Sequence, residues 1–199
     1  MAMNFKVLPD REAVAVYAAD ILRKQFNNNP TTIAGVHLAK EEAPVLDQLK
    51  IDVDKHAVDF SQINILDYDA NKTYYEALGV PEGQIYTPAF EQEAEPYIKE
   101  HMKTKDNKGK LITQVVTMDR KGDLEVSIEH ALLPAREIFL IITGSEKADA
   151  VKKLYEENSS TNFEPADLKT HRMVNVVLDE AAAAGLPEDV KNYFTARFA

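Results

Sequence analysis

Cysteine and tryptophan are absent from the 199 residues, and glycine is scarce, with seven residues in all, about half of its usual share in globular chains. Without cysteine the chain forms no disulfide, thiolate zinc site, iron–sulfur cluster or cysteine nucleophile. The glycines stand at Gly35, Gly79, Gly83, Gly109, Gly122, Gly144 and Gly185. Their spacing builds neither the G-x-G-x-x-G turn of a dinucleotide site nor a P-loop. Positive charge is also short: 23 Lys and Arg face 33 Asp and Glu, a formal net charge of −10. Nucleic acid is therefore not an expected partner, because a phosphate backbone is held by clustered cations. No run approaches the ~18 apolar residues of a membrane span, and the first residues lack the pattern of a secretory signal. A cytoplasmic protein without a membrane partner is expected.

Histidines occur at 37, 56, 101, 130 and 171, never in a zinc-binding pattern. The cluster Asp52, Asp54, His56 and Asp59 has Ala57 where a calcium loop needs glycine. No metal or cofactor is implied.

What the chain does have is a 45% apolar content, enough for one core, so residues 1–199 are expected to form a single α/β domain. Alternation over 4–8 predicts a strand. Ala13, Val14, Val16, Tyr17, Ile21 and Leu22 are then spaced as one helical face, with Asp10 as N-cap and the Asn-Asn-Asn-Pro of 27–30 as stop. The β-branched run 31–38 predicts a second strand, and 41–50 a helix with Pro44 in its first turns, where proline is tolerated. Strand 62–66, a helical turn over 73–78 and a turn over 80–83 follow. Residues 90–102 predict a helix, 103–110 a polar loop, 111–118 a strand and 119–122 a turn, with 124–128 folding back as a hairpin. The run 138–142 has the pattern of a strand buried on both faces, 145–157 predicts a helix, 174–178 the last strand, and 179–184 and 187–198 closing helices. This alternation predicts a doubly wound, mostly parallel sheet with helices on both faces, Rossmann-like in plan. In such a sheet ligands bind beyond the carboxyl ends of the strands. That directs attention to 37–42, 67–72, 119–123, 143–147 and 179–180.

Three segments carry a pattern. Residues 58–68 read Val-Asp-Phe-Ser-Gln-Ile-Asn-Ile-Leu-Asp-Tyr, residues 135–148 place Gly144, Ser145, Lys147 and Ala148 after an apolar strand, and His171 is followed by Leu178, Asp179 and Glu180. In this order they resemble the D-[FW]-S-x-[VI] and F-N-L-D-E-Y segments, the G-x-x-K-A helix start and the H-x5-[VIL]-x-D-E close of the glucosamine-6-phosphate deaminase and 6-phosphogluconolactonase family. The resemblance implies a Rossmann-like fold and a place in carbohydrate metabolism. It also implies a phosphate site at Lys147, Gly144 and Ser145, with Lys40 nearby. Asp67 lies near the acid pair that moves a proton in the family, and either acid of that pair remains open as its counterpart. His37 and Tyr68 are candidate pocket residues.

Two departures qualify the resemblance. Where the family carries G-L-[AS]-x-G-[ST]-T-P, residues 37–44 read His-Leu-Ala-Lys-Glu-Glu-Ala-Pro. Glu41 and Glu42 would repel a phosphate dianion, and both also suit the first turn of a helix. Where the family carries G-x-G-x-D-G-H, Lys121 replaces the acid and Asp123 the histidine. A carboxylate of ordinary pKa, about 3.9, is a poor substitute for an imidazole near about 6.5. The segment that follows is also short, spanning 127–134. The first expectation is thus a shortened, divergent member that lacks the standard activity and binds a phosphorylated sugar or other anion through Lys147 and Lys40. The second is an active isomerase or hydrolase using Asp67 and Asp123. The third is a partner-binding module. Whether the chain forms a homo-oligomer is open.

Overall fold

The computed structural model describes residues 3–90, 93–101, 112–126, 128–158 and 162–197. Seven strands, β1 (Met3–Leu8), β2 (Ile33–Val36), β3 (Asn64–Asp67), β4 (Ile85–Tyr86), β5 (Thr113–Thr117), β6 (Glu137–Ile142) and β7 (Val174–Asp179), form one sheet in the order β1-β7-β6-β5-β2-β3-β4. Every pairing is parallel. The helices are α1 (Arg11–Asn28), α2 (Pro44–Lys55), α3 (Lys72–Leu78), α4 (Ala94–His101), α5 (Ala148–Glu156) and α6 (Glu188–Ala196). This is the expected doubly wound, Rossmann-like architecture.

The apolar run of β6 explains why that strand is central. Ile138, Leu140 and Ile142 face one core with α4, α5 and α6, while Phe139 and Ile141 face the other with α1, α2 and α3. A parallel strand covered on both faces needs no polar alternation. α1 begins where expected, with the Asp10 carboxylate accepting from the Ala13 N–H at 2.8 Å. At the β1 edge, Lys6 Nζ donates to the carbonyls of Thr195 and Arg197 at 3.1 and 2.8 Å. It thereby closes the carboxyl end of α6, where the last carbonyls lack helical partners.

Two expected elements are absent. Among the described residues of 124–128 no hairpin forms: β5 already pairs with β2 and β6 on its two edges, so no edge is free. Instead Leu124, Val126 and Ile128 are buried and lead into a wide helical turn over Ile128–Leu132, closed by Leu133 N–H donating to Ile128 O at 2.7 Å. Residues 180–184 form turns rather than a helix: Asp179 caps the stretch by accepting from Ala182 N–H at 2.8 Å and also binds Gly144 N–H, but the later backbone bonds span only three residues, Ala184 N–H to Ala181 O and Leu186 N–H to Ala183 O, and Gly185 and Pro187 follow at once. The short edge strand β4 falls just after the expected turn over 80–83, where no element is expected, and Val16, expected on the buried face of α1, is exposed. The expected loop 103–110 lies outside the described residues.

Candidate functional site

From β2 the chain proceeds to β3 and β4 on one side of the sheet, and from β5 to β6 and β7 on the other. β2 and β5 are neighbours, so the winding reverses between them, and a crevice opens beyond their carboxyl ends. It is held together by His37 N–H donating to Val115 O at 3.0 Å and Ala39 N–H donating to Thr117 Oγ1 at 3.0 Å. A cavity of about 310 Å³ lies there, with Thr117, Asp119, Asp123, Glu125 and Lys147 among its walls. A larger, more open hollow of about 750 Å³ sits at the opposite end of the sheet, beside Ile112, Glu137 and Met173. Its Glu137 is already engaged by the Gln25 and Asn175 amides. The smaller cavity is the candidate site because it occupies the switch point and gathers the titratable groups.

The turn after β6 is built around an internal carboxylate. Glu42 is 1% exposed, and its Oε1 accepts from Thr143 N–H at 3.3 Å, Thr143 Oγ1 at 3.0 Å and Lys147 Nζ at 2.9 Å. Thr143 Oγ1 in turn accepts from Arg11 Nε at 3.0 Å, which leaves its single hydrogen directed at Glu42. The next amide, Gly144 N–H, meets the Asp179 carboxylate at 3.1 Å. Gly144 has φ +101°, and a Cβ there would sit 2.5 Å from the Glu146 carboxylate. Glycine is thus required by the backbone, whereas the exposed Glu146 carboxylate could swing aside.

At the rim, His37 stands between two acids. Its Nδ1 lies 2.7 Å from Asp69 Oδ1 and its Nε2 lies 3.2 Å from Glu125 Oε2. Asp69 Oδ2 also accepts from Leu38 N–H at 2.8 Å, fixing the acid against the end of β2. The hydrogen bond to Asp69 raises the His37 pKa above its ordinary value, against a smaller opposing effect of partial burial. Glu125 reaches the ring from a left-handed backbone at φ 55°.

The sequence candidates fall into groups. Asp123 and Lys147 line the cavity. Asp123 is exposed, and its N–H is held by Asp119 Oδ1 at 2.8 Å in the turn that Gly122, φ +96°, makes tight. His37 and Glu125 meet at the rim. Asp67 is buried outside the cavity wall, its Oδ1 accepting from Asp69 N–H at 3.2 Å, and burial raises its pKa. Tyr68 is half-buried against the core, while Lys40 and Ser145 are exposed. Sequence reasoning placed Glu42 at a helix start but not inside the fold, and it passed over Asp69 and Glu125. The local signal for Asp69 was its position two residues beyond Asp67 at a strand end. Among the described residues no cluster of three or more His, Asp or Glu side chains is arranged for a metal ion, and no helix is long and apolar enough to cross a membrane.

Fold and site together define a doubly wound α/β protein with a switch-point crevice. A 53-residue stretch is 42% identical to the glucosamine-6-phosphate deaminase of Oceanobacillus iheyensis, and a 58-residue stretch is 41% identical to glucosamine-6-phosphate deaminase 1 of Bacillus subtilis. These stretches cover 27% and 29% of this chain but only 21% and 24% of the relatives. In fold the likeness extends further. A monomeric glucosamine-6-phosphate deaminase superposes with a TM-score of 0.77 at 19% identity, covering 92% of this chain and 100% of that one. The 6-phosphogluconolactonase of Plasmodium vivax gives 0.66 at 12% identity, over 94% of both chains. No protein-family model matches the chain. The resemblance to the glucosamine-6-phosphate deaminase and 6-phosphogluconolactonase family is therefore a finding: the chain has that fold and shares local sequence with the deaminases.

Proposed function

We propose that the protein binds a small carbohydrate in the crevice between β2 and β5 and has lost the deaminase and lactonase chemistry of its structural relatives. The observation that carries this reading is the makeup of the crevice rim. The turn over 119–123 presents Asp119 and Asp123 but no imidazole, and His37, the imidazole at the rim, has both ring nitrogens engaged by carboxylates. A histidine that works as general acid or base needs one ring nitrogen free to reach the substrate.

Catalysis by Asp67 and Asp123 draws little support. Asp67 is buried in its own loop and is not part of the cavity wall, so the two acids do not share one face of a bound ligand. The test is twofold. Thermal unfolding with a panel of hexoses and amino sugars should show stabilisation that grows as RT ln(1 + [L]/Kd). Assays of ammonia release from glucosamine 6-phosphate and of 6-phosphogluconolactone hydrolysis should stay at the uncatalysed rate. Turnover of either compound, lost on replacing Asp123, would reinstate the enzymatic reading.

A further inference from the structure

We infer that Glu42 is the resident anion of an oxyanion cradle at the end of β6, and that it bars phosphate from the crevice. This inference rests on reading the crevice as the ligand site, and it narrows the ligand class to sugars without a phosphate group. A peptide N–H, a hydroxyl and an ammonium converge on one oxygen of Glu42, from Thr143 and Lys147. Donors gathered in this way bind any oxyanion of suitable size. Here the anion is covalently part of the chain.

The fit is incomplete in a telling way. Oε1 takes all three donors, while Oε2 is buried with no protein partner. A carboxylate thus meets the donors through one oxygen and leaves the other unsatisfied. Lys147 also forms part of the cavity wall, so the cradle adjoins the ligand space. A phosphate entering the crevice would compete for an ammonium that Glu42 already neutralises, and the one other cation of the wall, Arg120, stands among Glu41, Asp119, Asp123, Glu125 and Glu146. An uncharged or amine-bearing sugar meets no such repulsion.

The experiment uses the full chain and inorganic phosphate, with chloride at matched ionic strength as control. The wild type should show no phosphate-specific rise in Tm. Glu42→Ser removes the carboxylate and its bulk but keeps the donors, and its Tm should climb with phosphate concentration. Glu42→Gln keeps the shape without the charge, fills the same space, and should not respond. Adding Lys147→Met to Glu42→Ser should abolish the response. A phosphate-specific rise in the wild type, or a folded Glu42→Ser protein indifferent to phosphate, would overturn the inference. If Glu42→Ser folds only when phosphate is present, that rescue supports it. If Glu42→Ser folds under no condition, the wild-type titration decides, with absence of a response supporting the inference and a response overturning it. Titration of the wild type with unphosphorylated hexoses and amino sugars reads the crevice separately. Failure there removes the ligand reading and leaves the phosphate result standing.

Discussion

Charge is handled differently at two neighbouring strand ends. At the end of β6, Glu42 and Lys147 face each other in the interior, with side chains 0% and 5% exposed. At the ends of β2 and β3, His37 and Asp69 are each 16% exposed, and Glu125 on the other side of the ring is 61% exposed. The first arrangement is dry and held by fixed donors. The second lies at the rim and includes an imidazole whose pKa the hydrogen bond to Asp69 raises above the ordinary value. Burial makes each partner at β6 indispensable to the other, because an ion stripped of its counter-ion in the interior has no water to turn to. At the rim the exposed Glu125 is replaceable by solvent, while His37 and Asp69 keep partial access to it. The buried pair therefore shapes the fold and the anion preference of the site, while the rim group responds to pH.

The sharpest way to break this contrast is to remove one buried partner. Glu42→Gln or Lys147→Met alone should destabilise the protein by about 3–5 kcal/mol, the usual cost of orphaning a buried charge. Chemical denaturation measures this. The double replacement Glu42→Gln with Lys147→Met should cost clearly less than the sum of the singles, because the two groups are in direct contact. Additive losses would mean that the pair is not energetically coupled, and the distinction between the two strand ends would fail.

The architecture was legible in the sequence for reasons that the buried pair lacks. The run 138–142 could only be a strand covered on both faces, and Asp10 with the Pro30 stop bounded α1 almost to the residue. These signals are local. The hairpin expected over 124–128 failed because alternation at Leu124, Val126 and Ile128 marks burial as well as pairing, and the free edge it needed was taken by β2 and β6. Alanines at 181–184 favour a helix and Asp179 caps them, but Gly185 and Pro187 limit the stretch to turns closed by bonds over three residues. Glu42 was visible as a charge beside Pro44. Its inward rotation depends on Thr143 and Lys147, which stand 101 and 105 residues away along the chain. No local pattern encodes that meeting. The His37–Asp69 pair is missed for a similar reason, since it forms only when β2 and β3 lie side by side and Ala70 takes a left-handed turn at φ 56°.

A smaller effect is expected on the rim. The raised pKa values of Asp67, chiefly from burial, and of His37, chiefly from its hydrogen bond to Asp69, make the folded state bind protons more readily than the unfolded chain. Stability from each is present at low pH and declines as pH rises, from about 4 for Asp67 and from about 6.5 for His37, up to the raised folded-state values. Asp69→Asn should therefore flatten the decline above about pH 6.5 and only soften the acid-side decline, because burial is the larger cause at Asp67 and the Asp69 charge a lesser one. NMR titration of the His37 ring should show its midpoint falling toward the ordinary value. An unchanged midpoint would show that Asp69 does not hold the imidazolium.

The smallest effect separates the two carboxylates that flank the same ring. Glu125 meets Nε2 at 3.2 Å with most of its side chain in solvent, whereas Asp69 meets Nδ1 at 2.7 Å and is also fixed by Leu38 N–H. Water screens the outer pair and replaces it at little cost, so Glu125→Gln should change stability by no more than about 1 kcal/mol. It should also lower the His37 midpoint by less than Asp69→Asn does. Raising salt should diminish the Glu125 contribution first, since exposed charges are screened more than enclosed ones. If Glu125→Gln instead moves the midpoint as far as Asp69→Asn, the outer carboxylate is as enclosed as the inner one. The rim of the crevice would then be dry like the β6 turn, and His37 would be a second structural pair instead of a titrating group.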